Sequence, residues 1–205
     1  MTCDDLIWLF PTPMYITKYE NSFDEECEFI KNLPENVEQK VDSSLIPQTE
    51  NTFVLEYPEL NNIKSFIEKN VDKFVKEILQ STDDFMITQS WVNKAYGGQY
   101  HPDHHHPNSV VSGVWYVSVD EDSSPIQFRN IKHSDIGLNF KEINPFNGTY
   151  YNQKVSSGTL LLFPSSLPHG VPQNTKKTER ISLSFNTWFK GSFGSRKYLT
   201  YVPQN

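Results

Sequence analysis

The periodicity of apolar residues changes at Thr82, and this change constrains the fold more than any other feature of the sequence. The segments before it show helical spacing. The chain after it consists of short runs of β-branched and aromatic residues separated by Gly, Pro, Asn and Ser, a pattern typical of an all-β sandwich or barrel. The clearest runs are Met86 to Tyr96, Val110 to Val119, Pro125 to Arg129, Gly158 to Phe163 and Arg180 to Phe189. We therefore expect a mainly β fold with flanking helices, whose strands form a double-sheet jelly roll.

The residues before Thr82 predict three elements that support this sheet. Trp8 to Tyr19 is rich in aromatic and β-branched residues and is interrupted by prolines, which favours an edge strand. Ser22 and Glu25 have the spacing of a capping box, so a helix should begin there and end near Pro34. A second helix, with apolar residues at helical spacing, should begin at Pro58 and pack on the outside of the sheet.

No repeat and no break in composition marks a domain boundary. We predict a single domain over residues 1–205, with residues 1–82 as the strand and supporting helices and residues 83–205 as the jelly-roll core. The segment from Asn130 to Gln153 is polar and aperiodic, so we expect a long loop or lid there.

Composition narrows the class of protein and its compartment. A net charge of −7 argues against a protein that mainly binds nucleic-acid phosphates. The apolar stretch Leu6 to Phe10 is too short to cross a bilayer and lacks the features of a signal peptide. Cys3 and Cys27 are too few for a disulfide framework, although a single bridge between them stays open. We expect a cytoplasmic protein that binds neither membranes nor nucleic acid.

Histidines concentrate between two predicted strands. Four of the six lie there: His101, His104, His105 and His106. If the backbone is extended, His104 and His106 point to one side and can chelate one metal ion. His169, just beyond the run Gly158 to Phe163, offers a third imidazole. Three such ligands suit Fe, Zn, Cu or Ni and leave coordination positions for substrate. The alternative interpretation is a solvated polar loop, or a stretch that binds metal adventitiously and has no function.

Arg180 begins the last predicted strand, and Ser182 follows it on the same face. A guanidinium presents a planar fork that matches a carboxylate, and the serine hydroxyl can add a hydrogen bond. The pair could therefore hold the distal carboxylate of a dicarboxylic keto acid. The alternative is an ordinary arginine in a surface ion pair.

Taken in order, an H-x-H or H-x-D pair, a distal histidine after G-x-L-L-L-F-P, and R-x-S resemble the Fe(II)/2-oxoglutarate dioxygenase superfamily. Within it, HHHPNSVVSGVWYV, GTLLLFPSSLPHGV and RISLSFNTW look like the putative 2-oxoglutarate/Fe(II) oxygenase family of marine bacteria and their phages, which is related to prolyl 4-hydroxylases. The opening LFPTPMYITKY extends the resemblance over nearly the whole chain. It implies a double-stranded β-helix (jelly roll, cupin-like) that uses Fe(II) and 2-oxoglutarate.

The resemblance also implies a set of ligands. Aligning Tyr96 to Tyr100 with the glycine-containing strand of prolyl hydroxylases makes His104, His106 and His169 the metal ligands. His106 then stands where most of the superfamily has Asp or Glu. Because His101-Pro102-Asp103 is itself an H-x-D sequence, Asp103 or His101 remains an alternative ligand.

The implied reaction is oxidation of a substrate C–H bond, coupled to conversion of 2-oxoglutarate to succinate and CO₂. The iron would bind the keto-acid end of 2-oxoglutarate, Arg180 and Ser182 would bind the other end, and Tyr116 and Asn93 are further candidate contacts. The expected activity is that of a hydroxylase acting on a small molecule or a peptide side chain. No residue beyond the metal ligands is assigned a catalytic role.

Two other functions fit the same residues. A three-histidine, cupin-like metal enzyme would bind its substrate directly and would not need 2-oxoglutarate. A non-enzymatic jelly-roll module would use the histidines to hold a stabilising metal. His105 is expected to face solvent or support the site, and His133 is expected on the surface of the loop.

Overall fold

The structure is a computed structural model that describes residues 9–36, 42–131, 137–174 and 179–204. Cys3 and His133 lie outside these residues, as does the beginning of the apolar stretch at Leu6. None of the helices in the described ranges has the length and apolar character that crossing a bilayer requires.

A helical layer precedes the sheets. It consists of α1 (Asp24–Lys31), the 3-10 turns Val54–Glu56 and Pro58–Leu60, and α2 (Asn61–Lys73), which continues as a π-helical turn, Phe74–Ile78. The buried Ile63 and Ile67 of α2 share one apolar core with Val92 and Leu183 of the sheet. The predicted packing of the second helix on the outside of the sheet is therefore confirmed.

The start of α1 differs from the prediction. Phe23 occupies the N-cap position and makes no side-chain capping bond, so the predicted capping box does not form. The Ser22 hydroxyl donates to the Asp24 carboxylate instead, at 2.9 Å. Three acidic residues in the first turn still favour the helix electrostatically, because they lie near the positive end of its dipole.

The larger sheet has five antiparallel strands in the order β1-β7-β4-β9-β2. Its strands are β1 (Tyr15–Lys18), β2 (Phe85–Ala95), β4 (Val111–Val119), β7 (Thr159–Pro164) and β9 (Arg180–Phe189). β1 lies at one edge, as predicted. Along β4, Trp115 and Val117 face the helical layer, whereas Val114 and Tyr116 face the second sheet.

The smaller sheet has four strands in the order β3-β8-β5-β6. Its strands are β3 (His101–His104), β5 (Ile126–Arg129), β6 (Tyr150–Gln153) and β8 (His169–Val171). The expectation of a loop through to Gln153 was wrong at its end, since Tyr150–Gln153 pairs with β5. The two sheets enclose a second apolar core, as expected for a double-stranded β-helix.

Candidate metal and cosubstrate site

Three histidines meet between the two sheets. His104 ends β3, His169 begins β8 directly opposite it in the ladder, and His106 lies two residues beyond β3. Their potential ligand atoms all lie within 4.8 Å of one another. The His106 backbone N–H donates to the Ser165 carbonyl at 3.0 Å, which draws the end of β3 towards the segment that leads into β8.

Two of these imidazoles have their tautomer set by the backbone. Nδ1 of His104 lies 2.9 Å from the Pro102 carbonyl oxygen, and Nδ1 of His169 lies 3.0 Å from the Leu167 carbonyl oxygen. Because a carbonyl only accepts, each Nδ1 carries the proton and each Nε2 keeps a free lone pair. Nε2 is thus the available metal-binding atom of both residues.

Burial keeps His106 and His169 neutral near pH 7. Burial, together with nearby His104, lowers the pKa of His169 from 6.5 to about 3. The same causes, in the same order, lower the pKa of His106 to about 4. A neutral imidazole is the form that binds a metal, so these two residues need no deprotonation to do so.

Arg180 lies at the other end of the same pocket and is only 3% exposed. Its Nη2 donates to the Tyr116 hydroxyl at 3.2 Å, but its Nε is buried without a hydrogen-bond partner. In the part of the chain that the structure describes, no carboxylate pairs with this guanidinium. A buried cation without a counter-ion is costly, so an anionic ligand in the pocket would stabilise this group.

Strand register explains how the remaining predicted residues reach the pocket. Ser182 pairs with Asn93 on one side and with Tyr116 on the other, so the three side chains form a row across β2, β9 and β4. Asn93 donates to the Ser184 hydroxyl at 2.9 Å, whereas its Oδ1 is buried without a partner. This row and Arg180 line the same pocket as the three histidines.

The chain matches a known family model over residues 89–186, which is described as "Putative 2OG-Fe(II) oxygenase". The matched segment is similar to the 2-oxoglutarate/Fe(II) oxygenases. It runs from β2 to β9 and includes every candidate site residue. The expected resemblance is therefore confirmed, and with it Fe(II) and 2-oxoglutarate as the cofactors. A comparison with curated proteins found no match.

Solved oxygenase structures share the fold. A prolyl-4-hydroxylase from Pseudomonas putida is 14% identical, with a TM-score of 0.58 over 87% of this chain and 92% of its own. HygX from Streptomyces hygroscopicus, solved with nickel and 2-oxoglutarate bound, is 11% identical, with a TM-score of 0.55 over 86% and 82%. The α-ketoglutarate-dependent epimerase SnoN of nogalamycin biosynthesis is 10% identical, with a TM-score of 0.61 over 86% and 78%. These likenesses confirm the predicted double-stranded β-helix.

The alternative ligands predicted from the sequence lie outside the three-histidine group. Asp103 accepts from the Tyr150 hydroxyl at 3.0 Å, and its carboxylate lies 3.9 Å from Arg129 Nε. His101 lines the pocket and stacks on His104 with ring centroids 4.3 Å apart, but its ring nitrogens are not part of the group. His105 is exposed.

Sequence reasoning missed two residues, one that lines the pocket and one beside it. Trp91, whose ring centroid lies 5.8 Å from that of His106, is two residues before Asn93 on the same face of β2. Asn186 contacts His106 and continues the alternation of polar residues on β9. That alternation, Arg180, Ser182, Ser184 and Asn186, is visible in the sequence and could have identified the pocket-facing side of the strand.

Proposed function

We propose that the protein is an Fe(II)- and 2-oxoglutarate-dependent dioxygenase that hydroxylates a small molecule or a peptide side chain. In this proposal His104, His106 and His169 hold the iron and Arg180 binds the distal carboxylate of 2-oxoglutarate. The observation that carries the proposal is the buried, unpaired guanidinium of Arg180 in the pocket that the three histidines also line. When bound, the two cofactors supply the oxidation of a C–H bond by O₂, with succinate and CO₂ as co-products.

The surroundings of Arg180 are arranged for a carboxylate. Its free Nε can donate to one carboxylate oxygen, and an arginine fork commonly makes two such bonds. The Tyr116 hydroxyl accepts from Arg180, so its own proton is available for the same ligand. Burial raises the pKa of Tyr116 despite the opposing effect of Arg180, and the side chain therefore stays a phenol that can donate.

Ser182 and Asn93 would complete the cosubstrate end of the pocket. The Ser182 hydroxyl is 2% exposed and lies one alternate position from Arg180 on β9. The unpartnered Asn93 Oδ1 can only accept, so it suits a protonated group or a bridging water. We propose both as contacts that orient the cosubstrate.

The three histidines would bind the metal through neutral imidazoles alone. Because they supply three ligands, positions remain for the keto acid and for O₂. Trp91, Val114 and Phe163 line the same pocket and limit the access of water. The absence of a carboxylate ligand lowers the negative charge at the metal, so the negative charge of 2-oxoglutarate should contribute more to holding the iron.

The test is succinate production by protein purified without oxygen and supplied with Fe(II), 2-oxoglutarate and then O₂. We expect slow succinate formation without any added substrate. Arg180→Ala should reduce it at least about 100-fold at limiting 2-oxoglutarate, since a buried charged contact is worth several kcal/mol. Arg196→Ala is the matched control, because the Arg196 guanidinium lies over the Tyr201 ring, 4.5 Å from its centroid, and does not line the pocket. Unchanged succinate formation in Arg180→Ala would contradict the proposal.

One observation favours a second candidate function. The metal group contains three imidazoles and no carboxylate, which is also expected of a cupin-like enzyme that does not use 2-oxoglutarate. Such an enzyme would bind metal as tightly with or without 2-oxoglutarate. A non-enzymatic metal-stabilised module would show no open coordination position by absorption spectroscopy of the Co(II) form.

We also propose a cytoplasmic location and no nucleic-acid partner. The excess of acidic residues and the presence of only two cysteines support this proposal. Fractionation of producing cells, and a filter-binding assay with single- and double-stranded nucleic acid, would test it.

A further inference from the structure

We propose that Asn186 is a positioning residue that holds His106 in the Nδ1–H tautomer, so that Nε2 of His106 is free to bind metal. The inference rests on the proposed function, since it assigns His106 as a ligand. It concerns the one histidine of the three whose tautomer the backbone does not set.

His106 differs from its two neighbours in what its Nδ1 faces. Nδ1 of His104 and of His169 each lie against a carbonyl oxygen, whereas Nδ1 of His106 lies 3.5 Å from the side-chain amide of Asn186. A carboxamide can present either its NH₂ or its oxygen. The NH₂ would make Nδ1 an acceptor and put the proton on Nε2, whereas the oxygen would require Nδ1–H and leave Nε2 open.

The other end of the amide decides between these orientations. It lies 2.8 Å from the Ser112 hydroxyl, which in turn lies 2.8 Å from the Ser165 hydroxyl in a geometry where Ser112 is the donor. If Asn186 Oδ1 faced Ser112, the Ser112 hydroxyl would have to donate two hydrogen bonds with its one proton. Exchanging the two ends of the amide removes the conflict, because Nδ2 then donates to Ser112 and Oδ1 faces His106.

The neighbouring serine hydroxyls also favour the orientation in which Asn186 Oδ1 faces His106. Ser165 lies 2.7 Å from Ser109, and the Ser109 hydroxyl lies 3.2 Å from the Thr187 carbonyl oxygen. A backbone carbonyl can only accept, so the Ser109 hydroxyl can donate its hydrogen bond to the Thr187 carbonyl and accept one from the Ser165 hydroxyl. Each hydroxyl then donates once along the row from Asn186 to Thr187, and the row begins at the Nδ1–H of His106.

His106, as a metal ligand, would then be oriented by the neutral side-chain amide of Asn186. Hydrogen-bond partners of metal-binding histidines fix the tautomer and ring orientation, and their loss typically costs about 10–100-fold in metal affinity. An aspartate at position 186 would accept the same bond and add negative charge. Asn186→Asp should therefore keep or tighten metal binding, whereas Asn186→Leu should weaken it by roughly 10–100-fold.

The direct test is the tautomer of His106 in metal-free, ¹⁵N-histidine-labelled protein, read by long-range ¹H–¹⁵N correlation near pH 8. The His106 signals are assigned as those absent from His106→Gln. We expect Nδ1–H in the wild type and in Asn186→Asp, and a mixture of tautomers in Asn186→Leu. A wild-type His106 protonated on Nε2 would overturn the proposal.

The second readout is Co(II) affinity from absorption titrations of the same variants. Asn70→Leu is the matched control, since Asn70 is also a buried asparagine and its amide bonds to Tyr15 and to the Phe66 carbonyl in the helical layer, away from His106. We expect the control to lose stability and keep its Co(II) affinity. If Asn186→Leu binds Co(II) as tightly as the wild type, the positioning role is wrong while the proposed function stands. If the wild type binds no metal, the proposed function fails, and the tautomer measurement still decides the arrangement of His106.

Discussion

His104 and His169 face each other across the β3–β8 ladder, with ring centroids 4.4 Å apart. They are 65 residues apart in the sequence (169 − 104), and only the pairing of two short strands brings them together. The metal site therefore depends on a ladder whose strands contain three and four residues. Loss of either imidazole should affect metal binding far more than it affects folding.

His169→Ala should abolish high-affinity metal binding. It removes one of three ligands. Loss of a residue that only hydrogen-bonds to a ligand costs up to roughly 100-fold in metal affinity, so we expect the Co(II) affinity of this variant to fall further than that. Absorption titration measures this directly. His105→Ala is the control, because His105 is exposed and outside the group, and its affinity should be unchanged. Equal losses in both variants would show that the run of histidines binds metal without a defined site.

Tyr116→Phe should weaken 2-oxoglutarate binding with little effect on the fold. The change removes only the hydroxyl that accepts from Arg180 at 3.2 Å. A hydrogen bond to a charged group is worth about 1.5–3 kcal/mol, so the KM for 2-oxoglutarate should rise roughly 10- to 100-fold. Tyr57→Phe, on the helical layer against Phe29, should leave the KM unchanged. A normal KM in Tyr116→Phe would remove this residue from the cosubstrate site.

The metal-free protein should lose stability as the pH falls from about 6.5 towards 4. The pKa values of His106 and His169 are lowered from 6.5 to about 4 and about 3, chiefly by burial. In this window the unfolded chain binds protons that the folded chain does not, so acid favours unfolding. Urea unfolding at several pH values measures the slope. The slope should be shallower in the double variant His106→Gln, His169→Gln, and an unchanged slope would contradict the assignment.

Gly113→Ala should destabilise the sheet next to the site. A Cβ at Gly113 would lie within 3 Å of atoms of the Phe185 and Leu162 side chains, both of which are completely buried. Overpacking of this kind costs about 1–3 kcal/mol. Thermal unfolding measures the loss. Gly137→Ala meets no atom within 4 Å and should leave the melting temperature nearly unchanged.

The long, strongly patterned elements could be predicted from the sequence. β9 has the predicted bounds, Arg180–Phe189, because polar and apolar residues alternate from Arg180 to Asn186 and the strand ends in Thr, Trp and Phe, which favour strands. The short strands β3 and β8 could not be predicted, since His-Pro-Asp-His and His-Gly-Val have no strand pattern of their own. They are extended because β8 pairs with β3 on one side and with β5 on the other. The same is true of β6, whose polar residues join the sheet through β5.

The candidate site likewise contains residues that the sequence could predict and residues that it could not. The order of His104, His106, His169 and Arg180 along the chain indicated the chemistry, because ligand type and strand alternation are local properties of the sequence. The roles of Asp103 and Asn186 could not be derived in this way. Whether Asp103 faces the metal or Tyr150, and what Nδ1 of His106 contacts, depend on how the two sheets pack together.

The most direct measurement is a crystal structure of the protein grown without oxygen in the presence of Fe(II) and 2-oxoglutarate. We predict iron bound by Nε2 of His104, His106 and His169, with the distal carboxylate of 2-oxoglutarate held by the fork of Arg180 and the hydroxyl of Tyr116. Iron bound by Asp103 or His101, or 2-oxoglutarate bound away from Arg180, would contradict this account.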